Sequence, residues 1–292
     1  MKKILLLLLA FSTIVSASIR VETTFSTFGA ITQKIGGDLV HIHVLASPKY
    51  DPHFIVPKPS LLAKLHRADL LIMNGGGLEL GWLPPLIRSA NNRDIQNGAK
   101  GFLDISHYIP MIDVPTSVSR GFGDVHAQGN PHYTTDPHMV LIIARAIMEK
   151  LLELDPDNED IYQRNLNSFT KEWQHYLKYF DAHMKLCSDK RVVQYHELFN
   201  YFLKRYNYKS YGNIEPLPGI SPSSKHTIAM INTIKKNDIT LILQDVYHER
   251  KTAKFIAAKT DATVVLVPHD IGANGSRTLK EYYNNIAKSI CK

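Results

Sequence analysis

Cysteine is nearly absent from this chain. There are two in 292 residues, Cys187 and Cys291. Neither lies in a CxxC or CxxH spacing, which argues against a thiolate metal site. In an oxidising compartment the pair can close a disulfide that ties the C-terminus to the second half of the chain, or it can remain as two thiols. Long apolar runs are missing as well. After Ile14 nothing approaches the ~18 apolar residues that a membrane span needs, which excludes a helical membrane protein. No basic stripe exists either: Lys235-Lys236 and Arg250-Lys251 are isolated pairs, and nucleic-acid binding calls for a continuous patch or a recognised module. No HExxH is present, which weighs against a secreted zinc hydrolase using Glu197 beside His196 as its base.

The one apolar run sits at the start. Met1-Lys2-Lys3 is a basic segment, residues 4–14 are apolar, and Val15-Ser16-Ala17 is a small-residue cleavage motif before Ser18, the pattern of a secretory signal peptide over residues 1–17. No cysteine stands at that motif, so the expected product is a periplasmic protein without a lipid anchor. The formal charge of +7 includes Lys2 and Lys3; without them 32 basic residues face 27 acidic ones, a net of +5. Dispersed as it is, this excess describes a solvated surface.

The mature chain alternates strands and helices. Strand patterns cover residues 19–24, 39–45, 68–73 and 102–105, with helices over 25–35, 59–67 and 82–89 between them. Residues 109–129 are irregular, and a helix follows over 136–154. Residues 159–185 carry no Gly or Pro, and Leu166, Phe169, Trp173, Tyr176, Leu177 and Phe180 recur at three or four residues, one apolar face on a helix of ~27 residues and about 40 Å. The strand–helix alternation then resumes from residue 191 to 289. The expectation is an α/β protein: two similar α/β lobes joined by a long rigid backbone helix, with the ligand in the interlobe cleft. Its parts are a signal peptide (1–17), an N-terminal lobe (18–137), linking helices (138–186) and a C-terminal lobe (187–292).

Fourteen histidines each need separate weighing. His53 is held between Pro52 and Pro57 after the second strand. His132 follows Pro131 and precedes a helix, and His196 ends the strand 191–195. These are strand-end or proline-stiffened positions, where α/β folds place ligands. His41 and His43 alternate along a strand and read as its polar face. His126 shares a loop with His132 and ranks low as an auxiliary residue, while His248 has no context that separates it from solvated surface. A fourth ligand is expected after the last strand, from His269 or Asp270. Three imidazoles and a carboxylate suit Zn²⁺ and accept Mn²⁺.

The segments Asp51-Pro-His-Phe54 with Pro57-Lys-Pro-Ser60, Asn130-Pro-His132 with Asp136-Pro137, His196-Glu-Leu-Phe199 and Ser221-Pro-Ser-Ser-Lys-His226, in this order, resemble the zinc/manganese solute-binding proteins of bacterial ABC importers. The resemblance covers nearly the whole mature chain. It implies a metal held between the lobes, delivery to a membrane permease, no catalysis and no nucleic-acid partner, with the chain working as a monomer. Residue by residue it points to His53, His132 and His196 as ligands. At the fourth position the family often has an Asp three residues before a Gly. Counting back from Gly272 reaches His269, and Asp270, favoured for its charge, is offset by one. Histidine at position 196, where manganese-type members often carry Glu, points to Zn²⁺ over Mn²⁺.

Overall fold

In the computed structural model, residues 18–117, 126–187 and 191–291 are described. The signal peptide expected over residues 1–17 and much of the 121–130 loop lie outside them. The first half runs β1 (Ile19–Thr23), α1 (Ser26–Gly36), β2 (Val40–Val44), α2 (Pro59–Arg67), β3 (Leu70–Met73), α3 (Leu83–Ser89) and β4 (Phe102–Asp104). The strands form a parallel sheet in the order β2-β1-β3-β4. Two helices follow, α4 (Met139–Leu154) and α5 (Glu159–Lys185). The second half is β5 (Arg191–Gln194), α6 (Asn200–Arg205), β6 (Lys209–Asn213), α7 (Ser224–Lys236), β7 (Leu241–Gln244), α8 (Lys251–Ala257), β8 (Thr263–Leu266) and α9 (Leu279–Ile290). Its parallel sheet is ordered β6-β5-β7-β8. Each sheet places its first strand second and its second strand at the edge, so the two lobes share one topology.

Parallel strands buried on both faces read as apolar runs, and Leu70, Leu71 and Ile72 of β3 and Leu241, Ile242 and Leu243 of β7 are fully buried. α5 spans the 27 residues that its sequence pattern predicts, and it buries Tyr162, Leu166, Phe169, Trp173, Leu177, Phe180 and Met184 on one face. That face does more than bridge two separate cores. One continuous apolar cluster runs from β1 and α1 through α4 and α5 to Phe199, Phe202, Tyr283 and Ile286 of the second half. A smaller cluster under α7 and α8, around Val193, Ile242 and Ile256, belongs to the second sheet alone. Cys187, just past α5, is bonded to Cys291 at the end of α9. Among the described residues no helix is long and apolar enough to cross a membrane.

Two helices begin later than their sequence pattern suggests, for physical reasons. The segment at Asp136 stays extended, with its carboxylate accepting the His138 backbone N–H and pairing with Arg205 at 2.9 Å, so α4 starts at Met139. His196 likewise stays extended, with a tight turn over Glu197–Phe199 before α6. Both departures leave a histidine, His132 or His196, on a fixed non-helical stretch.

Candidate metal centre

The strand ends of both sheets converge where the lobes meet. His53 lies in the turn after β2. Its backbone N–H and its Nδ1 both bond Asp51 Oδ1, at 2.9 and 2.7 Å, and Trp82 Nε1 clamps the preceding Pro52 carbonyl at 3.0 Å. His132 sits in a stretch fastened at every residue. Its N–H donates to Asn130 Oδ1, the Pro131 carbonyl accepts from Asn74, and its own carbonyl accepts from Thr135 Oγ1. Gly129 allows this stretch to start: its φ is +108°, and a Cβ there would stand 2.7 Å from the Ile112 carbonyl oxygen. His196 follows β5, and its Nδ1 bonds Glu215 Oε2 at 2.7 Å. Glu215 in turn follows β6.

These three buried histidines each offer a ligand atom, and the atoms lie within 4.8 Å of one another. The rings stand edge-on, with centroids 5.2–5.5 Å apart. Because Nδ1 of His53 and of His196 donates to a carboxylate, Nε2 of each is the nitrogen with a free lone pair. Those lone pairs point inward. Nε2 of His196 is 3.2 Å from Nε2 of His132. Nε2 of His53 is 3.2 Å from Nε2 of a fourth ring, His126. Zn–N bonds of ~2.0–2.1 Å in a tetrahedron separate adjacent nitrogens by about 3.3 Å, so both spacings fit such an edge. Burial pushes the His132 pKa well below its ordinary value, with His196 and His53 adding to the effect. For His126 burial first, then His53 and His196, push it down to about 3. Both rings are therefore neutral and able to coordinate.

Asp270 does not join the imidazoles. It lines a small cavity with His132 and His269, but its carboxylate turns to the opposite lobe. Oδ2 accepts the Ser26 N–H at 2.8 Å, and Oδ1 accepts the Thr27 N–H at 2.9 Å and the Thr27 hydroxyl at 2.6 Å. These are the first N–H groups of α1, whose own preceding residue, Phe25, provides no side-chain cap. An anion at a helix N-terminus satisfies orphan donors and complements the helix dipole, so Asp270 caps α1 across the lobe boundary. His269 is buried, its ring edge-on to Tyr247 at 4.9 Å, with Nδ1 making no hydrogen bond. His126, ranked low in the sequence, stands against the cluster instead.

His248, which had no distinguishing context, is also at this site. Its Nδ1 bonds Asp245 Oδ2 at 2.8 Å, and its ring lies 5.9 Å from that of His196. Burial alone would lower its pKa, but the bond to Asp245 and the charges of Asp245, Glu215 and Asp51 raise it. The available signal was only that His248 follows a strand end. His41 and His43 are remote from the cluster. His43 Nδ1 lies 3.2 Å from Glu22 Oε1 and, among the described residues, makes no hydrogen bond.

Paired parallel sheets on a shared helical core, with neutral imidazoles enclosed where the strand ends meet, define a two-lobed binding protein. Residues 21–292 match the family described as "ZnuA: Zinc-uptake complex component A periplasmic", and the chain belongs to that family. The metal ABC transporter substrate-binding lipoprotein FimA of Streptococcus parasanguinis is 30% identical over 200 residues, 67% of this chain and 62% of FimA. The manganese ABC transporter substrate-binding lipoprotein PsaA of Streptococcus pneumoniae is 30% identical over 204 residues, 67% of this chain and 61% of PsaA. The aligned region thus spans less than two thirds of either relative. A crystal structure of ZnuA superposes with a TM-score of 0.76 at 27% identity, covering 94% of this chain and 99% of that one.

These names correct one expectation. Relatives of this fold are lipoproteins, proteins carrying an acyl chain that inserts into a bilayer. The lack of a cysteine at the Val15-Ser16-Ala17 motif was the sole ground for excluding a lipid anchor, and it does not stand against them.

Proposed function

We propose that this protein captures one divalent transition metal ion, Zn²⁺ in preference to Mn²⁺, between its lobes and delivers it to the membrane permease of an ABC importer. The convergence of His53, His132 and His196, with the bare Nε2 atoms of His53 and His196 facing inward, carries the reading. His126 is the fourth donor. An all-imidazole set favours Zn²⁺, whereas Mn²⁺ is better served by carboxylate oxygens. The family description supports zinc as cargo, and PsaA, named for manganese, keeps the second ion as the competing outcome.

The protein is a carrier without catalysis, working as a monomer. The carboxylates closest to the ligands, Asp51 and Glu215, bond the outer Nδ1 atoms of His53 and His196. That is the geometry of groups that orient ligands, and it leaves neither placed as a general base on a metal-bound water. The ligands come from both lobes at once, so binding the ion favours the closed arrangement of the lobes.

The test is native mass spectrometry of the chain from Ser18, titrated with Zn²⁺ and Mn²⁺ in competition. One zinc retained per chain is expected, and its loss from the His53→Ala/His132→Ala double variant. Manganese retained against excess zinc would change the cargo. No stoichiometric metal would overturn the function.

A further inference from the structure

Behind the ligand imidazoles three carboxylates gather round the single ring of His248. Asp51 comes from the first lobe, Glu215 and Asp245 from the second. Asp51 places Oδ1 on His53 Nδ1 and turns Oδ2 to His248 Nε2 at 4.0 Å. Glu215 repeats the pattern from the other side: Oε2 bonds His196 Nδ1, and Oε1 faces the same His248 Nε2 at 3.9 Å. At these distances the contacts are electrostatic and not hydrogen bonds. The ring itself is held firmly. Asp245 bonds Nδ1 through Oδ2, and with Oδ1 it accepts the backbone N–H groups of Tyr247 and His248 at 3.1 and 2.8 Å. Tyr195 stacks on the imidazole at 4.7 Å and Tyr247 lies against it at 4.6 Å.

We propose that His248 is a positioning residue for the metal centre: it sits between the outer oxygens of Asp51 and Glu215, one from each lobe, and through them orients His53 and His196. The inference rests on the metal-binding reading above. Asp51 and Glu215 each fix one ligand ring by its outer nitrogen, and both turn their remaining oxygen towards the same point. Without a group there, the buried carboxylate of Glu215 and the partly buried one of Asp51 would face each other across the lobe boundary and repel. Glu215 Oε1 is also held by the Gly219 N–H at 2.9 Å, so Asp51 is the freer of the two to relieve the repulsion by rotating, and His53 would follow it. His248 thereby makes the aim of a ligand in one lobe depend on that of a ligand in the other. The ring packing explains its choice over Lys: imidazole fits between Tyr195 and Tyr247 and is locked by Asp245.

The test compares full-chain wild type with His248→Gln and His248→Lys, measuring Zn²⁺ affinity against a chromogenic chelator and the d–d absorption of bound Co²⁺. Outer-sphere partners of metal ligands are worth about 10–100-fold in affinity, so His248→Gln should lose about that much and change the Co²⁺ spectrum. His248→Lys, which again places an N–H donor between the two outer oxygens, should recover to within about fivefold on the same basis. Asp51→Asn should cost less in the His248→Gln background than in wild type. If the Gln variant does not fold, Asp245→Asn, which frees the ring without removing it, should weaken Zn²⁺ about tenfold. The proposal is overturned if His248→Gln binds Zn²⁺ within twofold of wild type. It is equally overturned if the Lys and Gln variants are equally weak and their metal-free melting temperatures fall together, which marks plain packing. A wild type that binds no zinc is a different result: it removes the function and this role with it.

Discussion

The two lobes share a sheet order but divide the work at the metal centre. The first lobe and the segment after it bring three of the four imidazoles, His53, His126 and His132. The second brings one proposed ligand, His196, and most of the surrounding support: Glu215, Asp245, His248 and the Asp270 cap on α1. Topology alone therefore puts strand ends at the cleft, and the loops decide how many donors and how many supporting groups each lobe supplies. The β2–α2, β4–α4 and β5–α6 connections carry the proposed ligands, the first of them with its partner Asp51, whereas the β6–α7 and β7–α8 connections carry only supporting groups and β8–α9 carries the cap on α1.

The largest expected effect breaks this division at its centre. Apparent zinc-binding energies of ~10–16 kcal/mol shared among four ligands give about 3 kcal/mol each, on the order of a hundredfold or more. His132→Ala and His196→Ala should each lose at least that by calorimetry, although they come from different lobes. A loss confined to the first-lobe variants would show that one lobe binds alone. His126→Ala should cost less, about tenfold, because a water can take the fourth position. An unchanged Kd in that variant would remove His126 from the donor set.

Asp270→Asn sharpens the contrast between ligand and support. Capping and charged hydrogen bonds of this kind are worth about 2 kcal/mol, so the metal-free protein should melt about 4–6 °C lower, with Zn²⁺ affinity within about threefold of wild type. A hundredfold loss of affinity without a stability change would make Asp270 a ligand after all.

The smallest effect lies away from the metal. Glu22 in β1 pairs with Leu71, and the equivalent place in the second sheet is taken by Val193 opposite Ile242. Burial raises the Glu22 carboxyl from an ordinary value near 4.5 to about 7, with Lys64 and Arg67 opposing the shift. The folded chain thus keeps a proton that the unfolded chain has released. Its stabilising contribution is complete below pH ~4.5 and is lost as the pH rises through 7. Glu22→Gln should accordingly raise the melting temperature by about 2–4 °C at pH 8 and leave it unchanged at pH 4.5. An equal gain at both pH values would rule out the carboxyl's charge as the cause.

Much of the fold was legible in the chain. Alternating strand and helix patterns placed the two sheets, and the Gly- and Pro-free run over 159–185, with its apolar stripe from Leu166 to Phe180, marked the long helix to the residue. His53, His132 and His196 stood out because prolines and strand ends fix their surroundings. What was not legible depends on convergence. His248 meets Asp51 and Glu215 only because three separate strand ends reach one place, and no spacing along the chain encodes that. Asp270 was weighed for its charge alone, and its bonds to the otherwise uncapped N-terminus of α1, 244 positions away at Ser26, could not be read from the chain. His126 ranked only as an auxiliary residue of the loop it shares with His132.

The bond between Cys187 and Cys291 spans 104 positions of sequence. Everything from β5 to α9 lies within it, so the second lobe is a closed covalent ring hanging from the end of α5. A single proteolytic cut anywhere inside that ring leaves both pieces attached to the rest of the chain. Such a nicked protein would run at full mass on a gel until a reductant opened the ring, and the lobe that supports the ligands would stay tethered to the lobe that supplies most of them.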